Sequence, residues 1–159
     1  MKRFIALLLV FYYSGSILAQ NNLDDNAITV MPNNNINFSY QSIDDVLTDK
    51  VIDNAVSVSV SSKKSKCLIY AQVVFTGADQ SEAMARRICL KLRNSTSTNF
   101  SPVNYASPVA LSIQPVLLFE QDKATNLNLF NYDVVLKKQT GFDKTGSHNF
   151  TITFSLVEP

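Results

Sequence analysis

The chain ends in Gly146-Ser-His-Asn-Phe-Thr-Ile-Thr-Phe-Ser-Leu-Val-Glu-Pro159, which has the most regular pattern in the sequence. Within it the apolar side chains alternate with polar ones; they are Phe150, Ile152, Phe154 and Leu156. A period of two is typical of a β-strand with one buried face, because successive side chains point to opposite faces of a sheet. Thr, Ile and Phe also favour strands. The segment therefore predicts a C-terminal strand whose four apolar residues face a core.

The same alternation recurs upstream, less regularly. In residues 55–61 the side chains of Val56, Val58 and Val60 alternate with serines, and residues 67–75 are apolar on both faces, which predicts a strand in the interior of a sheet. Further strands are predicted at 88–93, 109–113, 116–120 and 127–138. About eight strands without a long helix predict an all-β fold, an antiparallel two-sheet β-sandwich of the Ig-like or pilin-like kind.

Shorter segments have weaker signals. Residues 27–31 alternate, with Ile28 and Val30 on one side, and residues 36–40 alternate again. Pro32 and the three Asn that follow it interrupt the alternation. This pattern predicts one broken strand or two short edge strands. Ser42 and Asp45 resemble a weak capping box that could begin a helical turn, but residues 42–49 are interpreted as a connection between strands. A short helix is predicted from Asp79 to Arg86, and a polar loop covers residues 94–107.

The N-terminus has the features of a signal peptide. Lys2 and Arg3 precede an apolar run that is too short to span a bilayer, and Ala19 is followed by Gln20 at a plausible cleavage point. We therefore expect residues 1–19 to be removed and residues 20–159 to form one exported domain, located in the periplasm, at the cell surface or outside the cell. No transmembrane segment is predicted after cleavage.

Charge argues against a nucleic-acid partner. The whole chain has 14 Lys and Arg and 13 Asp and Glu, and loss of Lys2 and Arg3 leaves the expected mature domain with a net charge near −1. A balance so close to zero gives no basic surface that would hold a phosphate backbone.

The two cysteines, Cys67 and Cys89, predict a disulfide, because an exported chain with an even number of cysteines most simply pairs them. Such a bridge would stabilise the fold by roughly 3 kcal/mol. The alternation places Cys89 away from the apolar side of its strand and Cys67 on one, so the bridge requires a bulge or a sheet edge. Two free buried thiols are the alternative.

Residues for catalysis or metal binding are few. His148 is the single histidine, and no Gly-x-Ser-x-Gly motif accompanies it. The acidic residues Asp44, Asp45, Asp49 and Asp53 lack the spacing and central Gly of a calcium loop. We therefore predict a non-enzymatic protein without a metal or cofactor, and a small hydrolase using His148 is the hypothesis that we place last.

The C-terminal pattern resembles small exported β-sandwich proteins of bacterial surfaces and, loosely, pilins that assemble by donor-strand exchange. Pilins have a Gly fourteenth from the end, then an alternating strand and a penultimate aromatic residue. Gly146 occupies that position and the strand alternates, but Glu158 replaces the aromatic. The resemblance implies that the strand with Ile28 and Val30 completes a neighbour's sheet; pairing within its own sandwich is the alternative.

Two functions follow as expectations. The first is a surface, adhesion or assembly component that binds a protein partner or a second copy of itself. The second is a soluble ligand-binding module, with carbohydrate as a possible ligand, that uses the loops around Tyr105 or residues 44–53. Tyr105 lies in a loop that contains prolines, where an aromatic ring could stack on a sugar.

Overall fold

The computed structural model describes residues 25–76, 81–102, 107–139 and 148–159. The predicted signal peptide, Tyr105 and Gly146 lie outside these ranges. Within them the chain forms nine strands and two short helices. The strands are β1 Ala27–Pro32, β2 Lys50–Ser61, β3 Cys67–Thr76, β4 Ile88–Ser95, β5 Phe100–Pro102, β6 Val109–Ala110, β7 Val116–Gln121, β8 Asn128–Leu136 and β9 Asn149–Val157; the helices are α1 Ile43–Val46 and α2 Glu82–Arg87.

The strands form two antiparallel sheets, so the predicted all-β class is confirmed. One sheet has the order β1-β2-β8-β4-β6, and the other has the order β5-β7-β3-β9. As the apolar composition of residues 67–75 predicts, β3 lies in the interior of its sheet, between β7 and β9. Strands β1 and β9 each end a sheet, and they lie on the same side of the sandwich, where Asn26 Nδ2 donates to Glu158 Oε1 at 3.0 Å.

The core lies between the two sheets. From one sheet come Val58, Val60 and Phe130, which are buried, and from the other come Ile69 and Phe119. The rings of Phe119 and Phe130 lie 4.1 Å apart between centroids, so side chains of the two sheets are in direct contact. The alternation of Val56, Val58 and Val60 with serines thus directs the valines to the core, where burial of each stabilises the fold by about 2 kcal/mol.

Strand β2 begins at Lys50, upstream of the alternation that starts at residue 55. The alternation does not continue upstream, because the strand contains a bulge between Ile52 and Val56. Ile52 pairs with Val134 and Val56 pairs with Tyr132, so two more residues separate the pairs on β2 than on β8. Asn54 within this bulge has a φ of 47°, a left-handed conformation that Asn adopts more readily than most residues. Its backbone N–H donates to Asp133 Oδ1 at 2.8 Å, which anchors the bulge to β8.

Some predicted elements differ from the observed ones. Residues 36–40 form no strand, although Ile36 and Phe38 pack against the core. The preceding Asn33 and Asn34 instead donate their backbone N–H groups to the carbonyl of Ala55, at 2.9 and 3.3 Å, and this directs the chain away from the ladder.

The prediction of a polar loop at residues 94–107 is wrong in part, because β4 extends to Ser95 and strand β5 covers Phe100–Pro102. The ring of Phe100 on β5 packs edge-on against Phe119 and Phe130, at 6.1 and 5.1 Å between centroids. The interpretation of residues 42–49 as a plain connection is wrong in part, because helix α1 forms there. Its capping box is complete: Asp45 N–H donates to Ser42 Oγ, and the Asp45 carboxylate accepts from the Ser42 N–H. Helix α2 begins after Ser81, whose side chain accepts from the Met84 N–H.

Candidate functional site

The predicted disulfide is wrong, because Cys67 and Cys89 are both free and buried. Cys67 belongs to the core between the sheets, where its Sγ lies 3.6 Å from the Ser65 carbonyl. Cys89 is on β4, in the other sheet, and its Sγ lies 3.7 Å from the Arg87 carbonyl. Val135 on β8 and Ala110 on β6 lie opposite Cys89 on the two neighbouring strands. Cys67 lies on β3, which belongs to the other sheet and does not pair with β4. Burial raises the pKa of each thiol, so both are also poor nucleophiles.

The acidic residues between 44 and 53 do not converge on a metal. Asp45 pairs with Lys50 at 3.2 Å, Asp49 with Lys137 at 2.8 Å, and Asp53 with Arg93 at 3.2 Å. The pKa of Asp45 is lowered first by the Gln41 N–H, and that of Asp49 first by the Lys137 ammonium. No group of three or more His, Cys, Asp or Glu suited to a metal occurs among the described residues.

Two further tyrosines that the structure describes, Tyr132 and Tyr40, have structural roles. Tyr132 is a core residue, and burial raises its pKa far above the ordinary range. Tyr40 is half exposed, and its hydroxyl accepts from Arg87 at 3.0 Å while the Lys50 ammonium lies over its ring. These contacts hold α1 and its flanking residues on the sandwich. His148 lies directly before β9.

The C-terminal strand is only half covered. Phe150, Ile152, Phe154 and Leu156 are partly buried and pack against the core, on the side of β9 that the alternation indicates. Each pairs with a core-facing residue of β3, from Phe75 opposite Phe150 to Ile69 opposite Leu156. Buried residues of β3 thus face one side of these side chains, and the other side is accessible at the end of the sheet.

The donor-strand candidates lie on β1. This strand pairs with β2 of its own chain, with Ile28 opposite Val60 and Val30 opposite Val58. Ile28 is partly buried against the core, whereas Val30 is 36% exposed. Within one chain β1 therefore completes its own sheet, and donation to a neighbour stays a prediction.

A cleft of about 700 Å³ lies where β1 and β9 diverge. The strands meet near Asn26 and Glu158 and separate toward Pro32 and Phe150. One wall comes from β1, β2 and residues 33–36, and the other wall comes from β9. The described residues that line it are Val30, Pro32, Asn33, Asn34, Asn35, Ile36, Val56, Phe150, Thr151, Ile152 and Phe154. These lining side chains are apolar or neutral, so the cleft suits an uncharged, partly apolar ligand.

The wall formed by residues 33–36 was not predicted as part of a site. In the sequence, Pro32 and the three Asn indicate only a break between strands. The structure shows that Asn33 Nδ2 donates to Ser57 Oγ at 2.7 Å and Asn34 Nδ2 donates to the Asp53 carbonyl at 3.0 Å. These bonds fix the segment against the bulge of β2, and the bulge was not visible in the hydrophobic pattern.

The edge of β9 beside this cleft differs from the other sheet edges that the structure describes. Strands β5 and β6 are three and two residues long, and β1 has six residues and ends in Pro32, which has no N–H. Strand β9 has nine residues without charge or proline, and its register with β3 is continuous. Proteins usually protect an edge with charge, proline, a bulge or short length. Strand β9 has none of these four features, and its outer edge pairs with no strand in the part of the chain that the structure describes, which makes it a candidate template for another strand.

Comparison with protein-family models, with curated proteins and with solved structures found no match to this chain. Among the described residues, no helix is both long enough and apolar enough to cross a membrane.

Proposed function

We propose that this chain is an exported, non-enzymatic β-sandwich that acts as a surface or assembly component by binding an extended protein segment. The segment adds to the edge of β9 and places alternate side chains in the cleft beside it. One observation carries the proposal: β9 is a nine-residue, uncharged edge strand whose apolar side chains are half covered.

Two kinds of contact support binding by strand addition. Every second residue of an edge strand directs its N–H and C=O away from its neighbour, so β9 offers a row of main-chain hydrogen bonds. Phe150, Ile152 and Phe154 line the cleft and are partly buried, and an incoming apolar side chain can cover them. Main-chain bonds supply affinity in this mode of recognition, and pockets for alternate side chains supply specificity.

The binding test uses peptides that alternate apolar and hydroxyl residues, matched with peptides of the same composition in scrambled order. We expect the alternating peptides to shift the backbone NMR signals of β9 and of residues 30–36, and the scrambled peptides to leave them unchanged. Equal responses to both sets, or responses located elsewhere on the sandwich, would contradict strand addition.

Export is tested separately, by expressing the full chain in a secreting host and measuring the mass of the released protein. A mature chain that begins at Gln20 supports export, and a cell-retained protein that keeps residues 1–19 contradicts it.

Carbohydrate binding is the second candidate, and the composition of the cleft favours it. Asn35 and Thr151 provide polar groups beside the rings of Phe150 and Phe154, a combination that can bind hydroxyls and stack on a sugar ring. A glycan array distinguishes the candidates. Hits that disappear in the variant Asn35→Ala, together with no response to peptides, would favour the sugar-binding function.

A further inference from the structure

We propose that the segment bound at the edge of β9 is β9 of a second copy of this chain, in an antiparallel pair about a twofold axis through Thr153. This inference rests on the proposed function and names its partner. The two four-stranded sheets then join into one continuous sheet. An interface of this kind uses the same surface on both copies and closes as a dimer.

The sequence of β9 is self-complementary about Thr153. An antiparallel pair centred on this residue places Ile152 opposite Phe154 of the second copy, and Thr151 opposite Ser155 of the second copy. Residues directly opposite each other in an antiparallel pair lie on the same face of the sheet. Apolar residues therefore meet on the inner face and hydroxyl residues on the outer face, and the same matching extends to Phe150 and Leu156. A shift by one residue would place apolar side chains opposite polar ones.

The residue at the centre of the pair has an unused polar group. Thr153 Oγ1 is buried and makes no hydrogen bond within the described part of the chain. A buried hydroxyl without a partner destabilises the fold, so a partner from a second copy would be favourable. In the twofold pair the two Thr153 residues face each other, and a rotation about χ1 lets one hydroxyl donate to the other, as threonines do across paired strands.

The paired strands contain no charged side chains. Residues 149–157 include no Lys, Arg, Asp, Glu or His, so no like charges meet along the proposed pair.

Other occupants of this edge fit fewer of the observations. A strand from an unrelated protein could bind the main-chain groups of β9, but such binding would not explain why the sequence of β9 is symmetric about Thr153. Strand β1 from a second copy pairs with β2 in the present fold, and its exchange would not cover the edge of β9. The symmetry of the strand and the buried hydroxyl of Thr153 together favour β9 itself.

The test measures molar mass by light scattering over a range of concentrations. We expect the wild-type chain to dimerise and T153K to dissociate at least tenfold more readily, because two lysines would face each other at the axis. T29K is the matched control: Thr29 is an exposed threonine on the other long edge, β1, and this variant should dimerise like the wild type.

Charge complementation makes the test specific. T153K and T153E should each be monomeric, and an equimolar mixture should form a heterodimer in which the introduced lysine of one copy pairs with the introduced glutamate of the other. If either variant loses its circular-dichroism melting transition, the double variants T151K/S155K and T151E/S155E replace them, since Thr151 and Ser155 are exposed and lie opposite each other in the proposed pair.

The outcomes separate this inference from the proposed function. A wild-type chain that stays monomeric at its solubility limit, yet shows peptide-dependent shifts on β9, overturns the self-pairing and leaves strand addition standing. A dimer that neither T153K nor T151K/S155K weakens uses another surface, and it also overturns the self-pairing. A monomer without any response of β9 to peptides overturns both.

Discussion

The backbone N–H of Asn54 on β2 donates to the Asp133 carboxylate on β8, at 2.8 Å, in the middle of the first sheet. Asp133 is buried and also accepts from Arg93 on β4, at 3.2 Å. One carboxylate thus connects three adjacent strands at the bulge.

Replacement of this carboxylate should destabilise the protein. Asp133→Ala leaves the Asn54 N–H and the Arg93 guanidinium without their acceptor, so we expect the free energy of unfolding to fall by about 2 kcal/mol. Asp53→Ala is the matched control, because Asp53 also pairs with Arg93 but is 75% exposed in its side chain. The Asp53→Ala variant should lose less than about 1 kcal/mol of its free energy of unfolding. Urea denaturation measures both, and equal losses would contradict the connecting role of Asp133.

The conformation of Asn54 gives a second prediction. A φ of 47° is unfavourable for a residue with a Cβ, and glycine adopts it freely. Asn54→Ala should lower the free energy of unfolding by about 1 kcal/mol, and Asn54→Gly should lower it less. Thermal unfolding followed by circular dichroism measures the order of the two variants. If the alanine variant is the more stable, the left-handed bulge is absent.

The thiols should be unreactive in the folded protein. Cys67 and Cys89 are buried and free, and burial raises the pKa of both, so a thiol reagent such as dithionitrobenzoate should label neither at pH 8. In denaturant without reductant it should label two thiols per chain. If no thiol appears in denaturant, the two cysteines are bridged after all.

Acid should destabilise the fold through three carboxylates. Glu82 accepts from the Ile113 N–H and Ser112 Oγ, and its pKa is lowered, as are those of Asp45 and Asp49. A group with a lowered folded pKa stabilises the protein above its unfolded pKa and loses that contribution as pH falls through the folded value. Stability should therefore decline from about pH 4.5 downward.

Glu82→Gln measures this contribution, because glutamine does not titrate. We expect the variant to be less stable than the wild type at pH 7 and to lose less stability between pH 5 and pH 3, as followed by urea denaturation. Parallel curves for the two proteins would show that Glu82 carries no acid-linked stability.

A valine pair in one strand tests the burial pattern. Val58 is fully buried, whereas Val51 in the same strand is 53% exposed. Val58→Ala should lower the free energy of unfolding by about 2 kcal/mol, and Val51→Ala should lower it by less than about 0.5 kcal/mol. Denaturation midpoints measure the difference, and a larger loss at Val51 would place the core on the opposite face of β2.

The sequence predicts the strands whose pattern is set by burial on one face. Alternation at Val56, Val58 and Val60 and at Phe150, Ile152 and Phe154 indicates the strand and its inner side, because a period of two arises directly from the pleat. The same alternation places Cys89 away from the apolar side of its strand. That position does not favour a bridge to Cys67, although the even number of cysteines predicts one.

The remaining features depend on contacts between distant residues. Asn33 and Asn34 leave the sheet because they bind the bulge around Asn54, which is itself held by Asp133, 79 positions away. Phe100 forms a strand in a polar stretch because its ring fits against Phe119 and Phe130. The cleft arises from the divergence of β1 and β9. No local pattern encodes such long-range relations.

The order of strands also determines when the chain can fold. In the first sheet β2 and β4 both pair with β8, and in the second β3 pairs with β7 and β9; of all the paired strands, only β1 and β2 follow each other in sequence. Neither sheet can close until residues beyond 128 have left the ribosome. Such distant pairing folds slowly. We therefore expect the growing chain to remain unfolded during most of its synthesis, and an unfolded chain is the form that can pass through a membrane pore during the proposed export.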